Sequence, residues 1–191
     1  MKGENEQNLM AKMQERKGMR SAKECASLSA FVALLIASQL VLSIVPGVEI
    51  VTVLFVAFSL VMGARRAVFA ATAFSLLRQF VFGFFPAVLL LYLIYFNLLA
   101  LCFGLLGRKW TLRGKTLPLF VVIACVFTVC FTLLDNVITP LWYAYTFEAA
   151  KAYFFAALPF LVPQVICTAI SVSLLLFPLG KAFLLVKKQL F

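Results

Sequence analysis

Glu49-Ile50-Val51-Thr52-Val53-Leu54-Phe55-Val56-Ala57-Phe58-Ser59-Leu60-Val61-Met62-Gly63-Ala64-Arg65-Arg66 decides the architecture of this chain. Apolar residues run through 50–62 without strict alternation, so the stretch reads as a helix, stopped at Gly63 and followed at once by two arginines. It is short for a membrane crossing. Roughly 15 residues at about 1.5 Å each reach about 22 Å, against a hydrocarbon core of about 30 Å. Whether it crosses fixes the side of the membrane on which every later segment emerges.

Working outward, the composition places the chain in a bilayer. A 191-residue chain that is 64% hydrophobic, with mean hydropathy +1.07 and 21 Phe, has too little polar surface to cover a water-soluble globule. Backbone groups in lipid must be paired within the protein, which leaves helices or a closed barrel. The runs 87–106 and 117–134 are continuously apolar, which selects helices. The expected fold is therefore an all-α polytopic membrane protein: a polar leader over 1–20, then one six-helix transmembrane domain over 21–191. The spans are read at 21–45, 49–62, a third segment running to about 82, then 86–106, 117–137 and 158–185.

The basic residues decide the short second helix. With six crossings, Lys2, Lys12, Arg16, Lys17, Arg20, Lys23, Arg65, Arg66, Arg108, Lys109, Arg113, Lys115, Lys181, Lys187 and Lys188 share one side, and only Arg78 and Lys151 are left over. Without it, the 108–115 cluster and the amino-terminal tail fall on opposite sides, against the positive-inside rule. Both termini are then cytoplasmic. The leader is too long and too charged for the usual signal peptide. A net charge of +10 could suggest nucleic acid, but outside the tails the basic residues sit in short clusters at the ends of apolar runs, so no nucleic-acid partner is expected.

Beyond the first 24 residues the acids are Glu49, Asp135 and Glu148, all at or past the outer helix ends in this topology. Arg78-Gln79 lies near the same depth. A charged guanidinium there needs protein or water beside it, with Glu49 and Asp135 as the nearest partners by depth; snorkelling to headgroups is the alternative. Between Pro140 and Pro159, Trp142, Tyr143, Tyr145 and Phe147 follow Asp135-Asn136 in the longest non-cytoplasmic connection. They form either an interfacial aromatic belt or a lid over a flat polar ligand. The substrate-binding candidates are Glu49, Arg78, Gln79, Asp135, Asn136, Trp142 and Tyr145. On the first helix, Ala22, Ala26, Ala30, Ala33 and Ala37 repeat at spacings of four and three, a small-residue face that lets another helix approach, inside the bundle or from a partner.

Catalysis finds no purchase. The chain contains no His, no paired carboxylates for a magnesium-phosphate site and no glycine-rich phosphate loop, so no enzyme, metal or cofactor is expected. Its five cysteines form no CxxC and read as small apolar residues.

The Ala26/Ala30 and Ala33/Ala37 pairs together with Pro46-Gly47-Val48-Glu49-Ile50-Val51 at the outer junction of the first two helices resemble the S components of energy-coupling factor transporters over about residues 22–186. The resemblance implies a subunit that captures a vitamin or related micronutrient from outside the cell. Such a subunit docks through the alanine face onto a membrane scaffold carrying two ATPases, in a bacterial plasma membrane. Cobalamin is the first substrate expected from the resemblance, a deazapurine precursor of queuosine the next. Two other classes compete: a ligand-free membrane interaction subunit like those of the cell-shape apparatus, and an integral-membrane transferase, which the missing acid–base residues disfavour.

Overall fold

The computed structural model describes the backbone of residues 2–42, 50–110 and 114–190, with side chains placed over 22–42, 50–110 and 114–189. The described residues form six α-helices and one 3₁₀ turn: α1 Lys2–Leu42, α2 Val51–Met62, α3 Ala64–Phe82, α4 Pro86–Lys109, the turn Gly114–Thr116, α5 Leu117–Trp142 and α6 Phe147–Leu190. Four stretches are long and apolar enough to cross a membrane, namely Ala22–Leu42, Pro86–Lys109, Gly114–Trp142 and Phe147–Gln189. The chain is an all-helical protein with the character of a multi-pass membrane protein.

The outer surface supports that statement independently of helix length. Leu34, Phe80, Val126 and Leu174 are among many large apolar side chains turned outward, with Phe80 87% exposed. In water such a surface would cost about 25 cal/mol per Å² of apolar area, whereas in lipid it costs nothing. Several polar side chains, by contrast, pair across helix–helix seams, as Thr72 with Asn97 at 3.1 Å and Thr128 with Thr168 at 3.0 Å.

The short second helix has a different explanation from a strained crossing. Eleven of the 12 residues of α2 are buried, and Val53, Phe55, Val56 and Ala57 are fully enclosed. It packs chiefly against α4 and α6, with α1 and α3 closing the remaining sides. A helix walled by protein on every side need not match the bilayer thickness, because its ends meet protein rather than headgroups. Around it sits an aromatic core: Phe31 stacks on Phe58 at 3.8 Å between centroids, Phe55 lies 4.8 Å from Phe96, and Phe96 meets Phe74 edge-on at 5.2 Å.

One end of the bundle is tied together by backbone contacts. Gly63, in a left-handed conformation (φ 88°), joins α2 to α3 with a single residue. Gly104 and Gly107 of α4 lie directly against this junction: a Cβ on Gly104 would come within 2.3 Å of the Ala64 Cα, and one on Gly107 within 2.3 Å of the Leu60 carbonyl oxygen. From the other side Lys187 of α6 donates to the Val61 carbonyl at 2.6 Å, satisfying a free acceptor at the end of α2. Arg66 pairs with Glu24 of α1. Arg65, Arg66, Arg108 and Lys187 are thereby gathered at one end, as the charge pattern requires.

Several boundaries differ from the sequence reading. The leader and first span form one helix, Lys2–Leu42, rather than a tail and a separate helix beginning at residue 21. The stop at Pro46-Gly47, and Glu49, lie outside the described residues. The fifth helix continues through Pro140 to Trp142, and the sixth begins at Phe147 rather than near 158. Thr146 is the reason for that early start: its Oγ1 accepts from the Ala149 N–H at 3.4 Å, with Glu148 in the first turn, which is an N-terminal capping arrangement. The expected long aromatic connection is therefore four residues, 143–146.

Candidate functional site

At the end opposite the arginine cluster, α3 turns into α4 through 83–85. Gly83 adopts φ 95°, and the Gln79 side chain folds back so that its Oε1 accepts the Phe85 N–H at 3.2 Å. That bond satisfies an otherwise orphaned donor at the start of α4. It also fixes the amide orientation, so Nε2 faces the other way. Gln79 is 7% exposed, and its Nε2 has no hydrogen-bond partner among the described residues.

Beside it, Arg78 is held from three directions. Its Nε donates to Gln39 Oε1 of α1 at 3.0 Å, and Gln39 Nε2 donates in turn to the Tyr92 hydroxyl of α4 at 2.9 Å. The guanidinium carbon lies 4.3 Å from the centre of the Tyr92 ring and 4.7 Å from that of Phe82, a cation sandwiched by aromatic faces. None of these three contacts is an ion pair. Among the described residues Arg78 forms no ion pair, and its Nη1 is buried with no partner. Arg78 therefore does not snorkel freely, and it is not neutralised by Asp135.

Asp135 belongs to a second polar group, on the α5–α6 seam. Its carboxylate accepts from Thr139 Oγ1 at 2.7 Å and from the Tyr153 hydroxyl at 2.8 Å. Further along the same seam Thr132 meets Gln164 at 3.4 Å and Thr128 meets Thr168 at 3.0 Å. Asn136 donates to the Thr132 carbonyl at 2.9 Å, while its Oδ1 is buried and unpartnered. Helix α4 packs against both α3 and α5, and Tyr92 reaches the Phe131 ring of α5 at 5.9 Å. Among the described residues no ion pair joins Arg78 to Asp135, and the two acid and base positions that the sequence reading set on one ligand edge each hold hydrogen bonds within their own group.

The aromatic residues divide as well. Tyr145 lies edge-on to Tyr153 at 6.1 Å and so joins the Asp135 group, whereas Trp142 is 53% exposed. Gln39, Tyr92 and Tyr153 were missed from the sequence. Gln39 was legible in principle, as an amide three residues before the last residue of α1; a Tyr within an apolar run carries no such signal.

Chemically, Arg78 Nη1 and Gln79 Nε2 are two buried donors on adjacent residues that meet no acceptor among the described residues. Leaving such groups unpaired costs about 1–3 kcal/mol each, more for a charge, so the arrangement favours a molecule that brings acceptor oxygens. The rings of Tyr92 and Phe82 supply flat apolar surface next to them. Comparison with known proteins gives no match to a family model, to a curated sequence or to a solved structure.

Proposed function

We propose that this protein is the substrate-capture subunit of an ATP-driven micronutrient importer of the energy-coupling factor type, sitting in a bacterial plasma membrane and working with a scaffold subunit and two ATPases. One observation carries the reading. Ala22, Ala26, Ala30, Ala33 and Ala37 are all exposed, while Phe31, Val32 and Leu35 on the opposite side of α1 are buried in the core. The alanine face is thus free for another helix, rather than spent on internal packing. The two donors at Arg78 and Gln79 that are unmatched among the described residues give the ligand a place to bind, which a ligand-free interaction subunit has no need of. Cobalamin, then a deazapurine, are the substrates that the sequence resemblance favours.

Bulk on the alanine face tests the docking. Ala30→Trp and Ala33→Trp should each abolish uptake and co-purification with the scaffold, while the isolated protein melts as wild type and keeps its ligand, because a ring of that size holds helix backbones apart. Loss of folding in the isolated protein would show that α1 uses this face internally.

The reading includes six crossings, with both termini and the 108–115 loop cytoplasmic and 142–151 outside. A cysteine introduced at Glu148, which is exposed, should react with an impermeant maleimide in intact cells, and one at Lys115 should react only after lysis. The reverse pattern inverts the topology and removes the Arg78 group from the outer side.

A further inference from the structure

The arginine-rich end of the bundle encloses a groove of about 560 Å³ between α1, the α2–α3 junction and the end of α4. Arg65, Arg66 and Arg108 line it together with a single acid, Glu24, and that acid is already paired with Arg66. Among the described residues Arg65 and Arg108 have no carboxylate partner, and both are exposed. The remaining wall is apolar and includes Leu28 and Phe69, with Phe69 62% exposed on the outer surface of α3.

We infer that this groove binds the headgroup of an anionic phospholipid, its phosphate between Arg65 and Arg108 and its acyl chain along Leu28 and Phe69. Guanidinium groups match phosphate oxygens in paired hydrogen bonds, and basic pockets between membrane helices at the cytoplasmic surface are suited to anionic headgroups. The volume lies within the range of about 300–1,000 Å³ typical of small-molecule sites. A soluble phosphate would satisfy the arginines but would leave the Phe69 wall without a ligand. A lipid meets both demands at once, since the same molecule has its charge at the surface and its chain in the bilayer. The groove shares no residue with the Arg78 group.

Native mass spectrometry of the full chain in mixed micelles with equal amounts of phosphatidylglycerol and phosphatidylcholine tests this. Wild type should retain phosphatidylglycerol preferentially by about tenfold, in line with two basic contacts at a membrane surface. The R65Q/R108Q variant should lose that preference, and K188Q, which removes an exposed charge outside the groove, should keep it. Millimolar glycerol phosphate should not displace the lipid. Equal retention of the two lipids by wild type, or the same loss in K188Q, overturns the inference; displacement by glycerol phosphate overturns the lipid as the source of the phosphate. Should R65Q/R108Q fail to fold, phosphatidylglycerol carrying a photoreactive acyl chain should label the peptide that contains Phe69 in wild type, and labelling elsewhere alone rejects the site.

Discussion

Gly104→Val and Gly107→Val are each expected to destabilise the bundle by more than about 3 kcal/mol, the upper range for forcing side-chain volume into a closed interface. Both positions lie where α4 meets the α2–α3 junction. At Gly104 even a methyl group would stand 2.3 Å from the Ala64 Cα, and at Gly107 2.3 Å from the Leu60 carbonyl oxygen. The obstructing atoms are backbone, so no rotamer change relieves them. Relief requires moving α4 away, which would open the seam around Phe103, Leu99 and the enclosed α2. Gly114 is the control, since a Cβ there meets nothing within 4 Å, and Gly114→Ala should shift stability by less than about 0.5 kcal/mol. Unfolding in mixed detergent micelles, followed by Trp fluorescence or thermal aggregation, reads the difference. Wild-type stability in both valine variants would mean that α4 does not approach this junction so closely.

For Arg78→Met the expected result is a split between affinity and stability. Ligand affinity should fall about a hundredfold or more, equivalent to about 3 kcal/mol, because a charge-assisted hydrogen bond in a low-dielectric site is lost. Stability should fall by only about 1–2 kcal/mol, because the loss of the Gln39 bond and of the two ring contacts is offset in part by removing a charge that has no ion-pair partner among the described residues. Met keeps much of the side-chain length against the Phe82 and Tyr92 rings. The measurement is calorimetric titration with the co-purifying ligand, or with cobalamin and then a deazapurine, beside a thermal melt of each variant. Phe84→Ala, at a position 70% exposed beside the same turn, should leave both unchanged. Affinity and stability falling by the same amount would recast Arg78 as a pin between α1, α3 and α4. Unchanged affinity would place the ligand elsewhere, with the Asp135–Tyr153 group next in line.

How far the site was legible follows from what a sequence encodes about a polar residue in lipid. Arg78-Gln79 stood out because a charge beside an amide in an apolar run is expensive wherever it lands. Asp135 stood out for the same reason, but its partner did not. The carboxylate is held by Thr139, one turn on, and by Tyr153, from a helix expected to begin later. Depth alone suggested Arg78 as its mate, but among the described residues the two form no ion pair. Thr146 and Glu148, which start α6 early, formed a readable capping signal that the two flanking prolines obscured.

By itself the sequence determined that the chain is helical, that its exterior is apolar and that its basic residues collect at one end. Each of these follows from local composition: segment length, continuity of apolar residues and the position of charges relative to segment ends. Only the tertiary structure decided that α2 is enclosed, that the alanine face of α1 points outward and that Gln39 holds Arg78. In water, amphipathic periodicity separates the core face of a helix from the solvent face. In lipid both faces are apolar, and the pattern no longer says which one meets protein. Helices α1 and α2 illustrate the loss, since alanines resembling packing residues lie outside and a helix that looked too short to span lies at the centre.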